Sequence, residues 1–160
     1  MLFQTDAALQ SVLMITPALL KKLGIRGLVL DVDNTLTTHN NPVPAEDVPQ
    51  WIETMKANGI RLIIVSNNTD KRVKDFAQLL DLPYVASGAK PLPQGIRKAV
   101  KLLKLCPRHT AVVGDQLFTD VLGARLAGTK MIYVSPISKE ESAFFKLKRM
   151  AERPFLPHID

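Results

Sequence analysis

Gly27-Leu28-Val29-Leu30-Asp31-Val32-Asp33 is the stretch of sequence that decides the fold. Its first four residues form an apolar run, which is typical of a strand buried on both faces of a parallel sheet. The run ends abruptly in acids, and open α/β sheets bind their ligands at the carboxyl ends of the strands. Because residues i and i+2 of an extended segment point the same way, the stretch predicts that Asp31 and Asp33 face one small site.

Four further apolar runs follow this one, and helical patterns separate them. This alternation predicts an α/β fold with a doubly wound parallel sheet and helices on both faces. The predicted strands cover residues 27–31, 61–66, 84–87, 110–115 and 130–135.

Helices are predicted between successive strands and at both ends of the chain. Residues 6–23 fit one helix broken near Pro17, or two short helices. Ser138 and Glu141 form a capping box for a last helix that reaches about Glu152. The helices between strands are predicted over 45–58, 70–80, 93–105 and 117–127.

Length and composition favour one soluble globular domain over residues 1–160, with 46% hydrophobic and 22% charged residues. Cys106 is the only cysteine, which excludes an intrachain disulfide and a cysteine-based zinc cluster. Asp6 and Pro17 interrupt the N-terminal apolar stretch, so neither a signal peptide nor a membrane span is expected. The predicted location is the reducing cytoplasm.

The formal net charge of +6 is unevenly distributed, because residues 82–114 contain no acid. One interpretation is a solvated helix face. The other is attraction to anionic lipid or nucleic acid. The basic residues of this segment are Lys90, Arg97, Lys98, Lys101, Lys104 and Arg108.

Polar residues follow the ends of successive predicted strands, and a parallel sheet would gather them at one edge. Acids can hold a cation, while a hydroxyl, an amide and an ammonium can surround a phosphoryl group. The ordered set is therefore stronger evidence than any one member. It comprises Asp31 and Asp33, Ser66-Asn67-Asn68, Lys90-Pro91, and Gly114-Asp115-Gln116 with Asp120 downstream.

This inventory predicts phosphoryl transfer through a carboxylate nucleophile, which divides one difficult displacement into two. Asp31 would attack phosphorus. Asp33 would protonate the leaving oxygen and then activate water, a role worth roughly 10²–10⁴ in rate. Mg²⁺ fits the oxygen-rich ligand set of the Asp31 carboxylate, the Asp33 backbone carbonyl and Asp115.

With these residues the chain resembles the haloacid dehalogenase (HAD) superfamily of phosphatases over residues 28–134. Its first motif, D-x-D-x-T, is matched by Asp31, Asp33 and Thr35. The resemblance implies that these are the nucleophile, the general acid/base and a positioning residue. The second motif falls on Ser66, which implies a hydrogen bond to the phosphoryl group, with Asn67 beside it for substrate binding.

The remaining two motifs of the superfamily are also matched. The resemblance implies that Lys90 is the lysine that neutralises phosphate charge and holds the nucleophile. The resemblance also implies that Asp115 is a metal ligand and that Asp120 is its supporting partner. Within the superfamily, the chain resembles subfamily IIIA and its YqeG-like group, which is related to mitochondrial phosphatidylglycerophosphatases. The segments that carry this narrower resemblance are Ile15-Thr16-Pro17, Asp33-Asn34-Thr35-Leu36 and Ser66-Asn67-Asn68.

The resemblance implies a Rossmann-like core with strand order 5-4-1-2-3. From Leu36 to Ser66 there is room for a flap and one helix, and from Asn68 to Lys90 for one helix and one strand. Neither interval holds a cap domain, so a capless core with an open site is expected. Residues 37–45 form the flap, and no histidine is assigned to the site.

The predicted function is therefore a magnesium-dependent phosphomonoester hydrolase with an aspartyl-phosphate intermediate. An open site and a basic face favour a bulky phosphate ester such as phosphatidylglycerophosphate, reached by a cytoplasmic protein peripheral to the membrane. One alternative is a soluble metabolite or nucleotide phosphatase closed by homo-oligomerisation.

A second alternative is a non-catalytic HAD binding module for ribonucleoprotein. Its contacts would come from a basic cluster of four residues. Asp33 argues against nucleic-acid binding as the function, because a pure scaffold does not need a second acid. The cluster comprises Arg97, Lys98, Lys101 and Lys104.

Overall fold

The computed structural model describes residues 3–138 and 143–159. Within these residues six strands form one sheet, and every strand pair in it is parallel. The predicted α/β class is confirmed. The strands are β1 (Ala7–Leu9), β2 (Gly27–Leu30), β3 (Arg61–Val65), β4 (Tyr84–Val85), β5 (Thr110–Gly114) and β6 (Lys130–Val134).

The strand order is β1-β6-β5-β2-β3-β4. Its last five strands are the predicted ones in the predicted order. β1 was not predicted, because Ala7–Leu9 lies in a segment whose composition favours a helix. Asp6 places this segment on the sheet edge: its backbone N–H donates to the Met131 carbonyl at 2.8 Å, and its carboxylate accepts from the Met131 N–H at 2.8 Å.

Helices pack on both faces of the sheet. Of the two alternatives predicted for residues 6–23, the structure has two short helices, a 3-10 helix (Val12–Met14) and an α-helix that begins at Pro17, where the Thr16 hydroxyl accepts a hydrogen bond from the Leu19 N–H. The capping box predicted from Ser138 and Glu141 falls partly outside the described residues. The helices are α1 (Pro17–Leu23), α2 (Val48–Ala57), α3 (Asp70–Leu80), α4 (Gln94–Leu102), α5 (Leu122–Ala127), which follows a π-helical turn (Leu117–Val121), and α6 (Ala143–Glu152).

Two apolar layers bury the central strand. Leu28 and Leu30 face one layer, and Val29 faces the other. Because full burial of such a side chain contributes about 1.5–3 kcal/mol, β2 is held firmly from both faces. The acids that follow β2 are thereby placed at the middle of the sheet edge.

The connections at this edge are short. A loop and α2 join β2 to β3, and α3 alone joins β3 to β4. These connections contain no additional domain, as the capless interpretation predicted. Among the helices of residues 3–138 and 143–159, none is both long and apolar enough to cross a bilayer.

Candidate active site

A cleft of about 350 Å³ opens at the carboxyl ends of the central strands. It brings together residues that lie far apart in the chain, as the sequence predicted. Its lining also includes His39 and Thr119, which were not predicted as site residues. The full lining consists of Asp31, Asp33, His39, Ser66, Asn67, Asn68, Lys90, Gln116 and Thr119.

Lys90 lies between two buried carboxylates at the base of the cleft. Its Nζ donates to Asp31 Oδ1 at 2.9 Å and to Asp120 Oδ1 at 2.6 Å. Burial alone would lower the pKa of Lys90, but Asp120 and then Asp31 outweigh that effect and raise it above its usual value. The ammonium is therefore charged and compensates two acids at once.

Asp31 is held in an environment that resists its ionisation. Burial, followed by the nearby charge of Asp120, raises the pKa of Asp31 from 3.8 to about 7, although Lys90 acts in the opposite direction. A carboxylate with this pKa still has a substantial ionised fraction near neutral pH. A cation placed beside it would increase that fraction.

The raised pKa of Asp31 predicts a pH-dependent stability for the metal-free protein. The folded state keeps a proton on Asp31 that the unfolded state releases, so the contribution of Asp31 to the free energy of unfolding should fall as pH rises from 3.8 to about 7. Urea titrations in a chelator check this. Asp31→Asn is the matched control, and an equal pH slope in both proteins would contradict the prediction.

Asp115 and Asp120 form an acid cluster with Asp31. One carboxylate oxygen from each lies within 4.8 Å of the others. Burial and then Asp31 raise the pKa of Asp115, while Arg149 opposes this shift. Gly114 permits the arrangement, because a β-carbon there would collide with the Asp120 carboxyl group.

The acid cluster fits a hard divalent cation. Buried carboxylates that repel one another need positive charge nearby, and oxygen ligands are those that Mg²⁺ prefers. Thr35 supports the cluster, since its hydroxyl lies 3.4 Å from Asp115 Oδ1. The predicted ligands were the carboxylates of Asp31 and Asp115 and the backbone carbonyl of Asp33. The structure brings the carboxylates of Asp31 and Asp115 together and adds that of Asp120.

The Asp33 side chain is turned towards the flap and α3. Its Oδ1 accepts a hydrogen bond from the Asn40 N–H at 2.8 Å and lies 3.3 Å from Arg72 Nη2. It therefore borders the cleft beside Asp31 and ties the flap to the site. Arg72 was not predicted, since on α3 it reads as one of several surface charges.

Ser66 and Asn67 follow β3 directly, as predicted. The buried Ser66 hydroxyl lies at the cleft and accepts a hydrogen bond from the Asn68 N–H at 3.2 Å. The Asn67 side chain donates to the Lys90 carbonyl at 2.9 Å and accepts from the Lys90 N–H at 2.8 Å. These two hydrogen bonds to the backbone fix the loop that carries Lys90, a role that the sequence did not indicate.

Comparison with known proteins identifies the class of protein to which this sheet and its acidic edge belong. A family model for haloacid dehalogenase-like hydrolases matches residues 40–128. The chain belongs to this family, and the predicted resemblance and hydrolase class are confirmed.

Individual relatives agree with this assignment. The chain is 35% identical over 154 residues to the probable phosphatase YqeG of Bacillus subtilis, covering 96% of this chain and 90% of that protein. It is 28% identical over 145 residues to the mitochondrial phosphatidylglycerophosphatase GEP4 of Saccharomyces cerevisiae, covering 76% of this chain and 77% of that protein.

Solved structures confirm the fold. A HAD family hydrolase from Deinococcus radiodurans, crystallised with bound phosphate and sodium, aligns with a TM-score of 0.55 at 14% identity. The alignment covers 80% of this chain and 89% of the other. At this identity the match establishes a shared architecture.

Proposed function

We propose that this protein, as one domain over residues 1–160, is a magnesium-dependent phosphomonoester hydrolase that works through a phosphorylated Asp31. The observation that carries the proposal is the meeting of Asp31, Lys90 and Asp115, from separate strand ends and loops, beside one cleft. A nucleophilic carboxylate, a charged ammonium and an acid cluster together match the needs of phosphoryl transfer.

In the first step, an Asp31 carboxylate oxygen attacks phosphorus, and the bond from phosphorus to the ester oxygen breaks. Asp33 donates its proton to that oxygen, so the alcohol leaves neutral. Lys90 and the Ser66 hydroxyl stabilise the negative charge on the transferring group. Asn67 contributes by keeping the Lys90 loop in place.

In the second step, a water molecule attacks the phosphorus of the aspartyl phosphate. Asp33, now a carboxylate, takes the proton from that water. The bond from phosphorus to the Asp31 oxygen breaks, which releases inorganic phosphate and restores the carboxylate. The position of Asp33 in the lining of the cleft suits both proton transfers.

The metal would be held by the carboxylates of Asp31 and Asp115 and by the Asp33 backbone carbonyl, with Thr35 and Asp120 as supports. When bound, Mg²⁺ would offset the repulsion between the phosphate dianion and the attacking carboxylate. Lys90 supplies a second positive charge on the Asp120 side of the nucleophile.

Removal of the metal should abolish turnover. We expect hydrolysis of an aryl phosphate to stop in a chelator and to return fully when excess Mg²⁺ is added. Steady-state release of phosphate checks this prediction. Undiminished hydrolysis in the chelator would contradict the magnesium requirement, and no hydrolysis of any ester with Mg²⁺ present would contradict the reaction class.

We further propose a phosphate on a lipid headgroup as the substrate, with the protein in the cytoplasm and peripheral to the membrane. Support comes from the short connections around the cleft, from the basic segment 82–114, and from the named activity of the yeast relative. An open cleft would admit a headgroup that remains attached to a bilayer.

A panel of esters separates the substrate classes. Preference for short-chain phosphatidylglycerophosphate over phosphorylated metabolites and nucleotides supports the lipid proposal. Preference for a small ester, together with a homo-oligomer in solution, supports the soluble alternative. Salt-dependent RNA binding without hydrolysis would support the ribonucleoprotein module instead.

A further inference from the structure

The last α-helix of the described residues, α6, reaches the acid cluster through one side chain. Arg149 of α6 pairs through Nη2 with Asp115 Oδ2, and its Nη1 donates to the Asp115 backbone carbonyl at 2.6 Å. The guanidinium thus holds the main chain and the carboxylate of one residue together. α6 lies outside residues 40–128, which the family model matches.

Arg149 is itself fixed by a second buried acid. Its Nη1 lies 3.4 Å from Glu152 Oε2, and the Glu152 residue is fully buried. Glu152 Oε1 also accepts the Phe118 N–H at 3.2 Å. α6 is therefore bonded both to the acid cluster and to the π-helical turn that carries Asp120.

We propose that Arg149 is a positioning residue for the metal site, which fixes the orientation of the Asp115 carboxylate within the acid cluster. This inference rests on the proposed function, in which Asp115 is a metal ligand. If the Arg149 guanidinium only replaced the positive charge of the metal, contact with the Asp115 carboxylate would be sufficient. Arg149 also holds the backbone carbonyl and is anchored by Glu152, which is how a supporting residue orients a ligand.

The net charge of the acid cluster still favours the binding of an added cation. The carboxylates of Asp31, Asp115 and Asp120 face the charges of Lys90 and Arg149, so the fully ionised cluster remains negative. Arg149 therefore does not neutralise the attraction for Mg²⁺. Loss of an outer partner of a metal ligand typically weakens metal affinity by about 10–100-fold.

The test is metal binding without any phosphate ester. Mn²⁺ binding, followed by the loss of its free EPR signal and by competition with Mg²⁺, should weaken about 10–100-fold in Arg149→Gln. Arg149→Lys should retain part of the affinity, because it keeps a cation near Asp115. Arg153→Gln removes an exposed arginine from the same end of the chain and should bind as the unaltered protein does.

Each other outcome has a defined meaning. Unchanged or tighter binding by a folded Arg149→Gln protein overturns the inference and leaves the proposed function standing. If that variant does not fold, Glu152→Gln decides, and unchanged affinity there also overturns the inference. No binding by the unaltered protein overturns the proposed metal site, and the inference with it.

Discussion

Replacement of Asp31 by asparagine is expected to abolish phosphate-ester hydrolysis. Asparagine has the same shape but provides no anionic oxygen to attack phosphorus, so turnover should fall below about one-thousandth of the original rate. The loss should appear in the rate constant and not as a failure to fold. Phosphate release with saturating ester and Mg²⁺ measures it.

The same replacement should leave the fold intact. Asp31→Asn removes a carboxylate that Asp120 repels, while the bond of 2.6 Å from Lys90 to Asp120 remains. A urea midpoint at neutral pH equal to or above that of the unaltered protein is therefore expected. A large fall in the urea midpoint would show that the contact of Lys90 with Asp31 stabilises the fold by more than the burial of the Asp31 charge destabilises it.

Two further variants are compared with Asp31→Asn. Asp33→Asn removes the proposed proton carrier and should cost about 10²–10⁴ in rate. Asp75→Asn changes an exposed carboxylate on α3 and should cost nothing. Full activity in Asp31→Asn would exclude the aspartyl-phosphate mechanism, whatever the other two variants show.

The central strands could be predicted because their signals are local. Leu28 to Leu30 form an apolar run long enough to read as buried, and Asp31 ends it. The order of the predicted strands also followed, because the family resemblance carried a topology. β1 could not be predicted in this way, since three residues contain too little pattern and the partner strand β6 decides their conformation.

The acids and Lys90 were predicted from their places at strand ends, and the family resemblance implied the contact between Lys90 and Asp31. The basic partners of Asp33 and Asp115 were not predicted. The pairs Asp33 with Arg72 and Asp115 with Arg149 join helices to loops, and such contacts leave no periodicity in the sequence. The bracing of Lys90 by Asn67 also depends on how two loops meet. Tertiary packing, rather than local preference, selects these bonds.

Replacement of Lys90 by methionine is expected to cause a large loss of stability together with a loss of activity. Methionine fills a similar volume but leaves Asp31 and Asp120 buried without their shared cation. Breaking a buried ion pair from one side typically costs about 3–5 kcal/mol. Urea unfolding at neutral pH measures the change, and Lys101→Met, on the exposed side of α4, is the control.

The sign of the pH dependence and a double variant identify the cause of that loss. Without Lys90 the buried carboxylates favour protonation in the folded state, so the deficit in unfolding free energy should shrink as pH falls towards about 4. Lys90→Met combined with Asp120→Asn removes one of the stranded charges and should be more stable than Lys90→Met alone. A deficit that is independent of pH and unrelieved by Asp120→Asn would show that Lys90 stabilises the fold by packing, because charge compensation requires both effects.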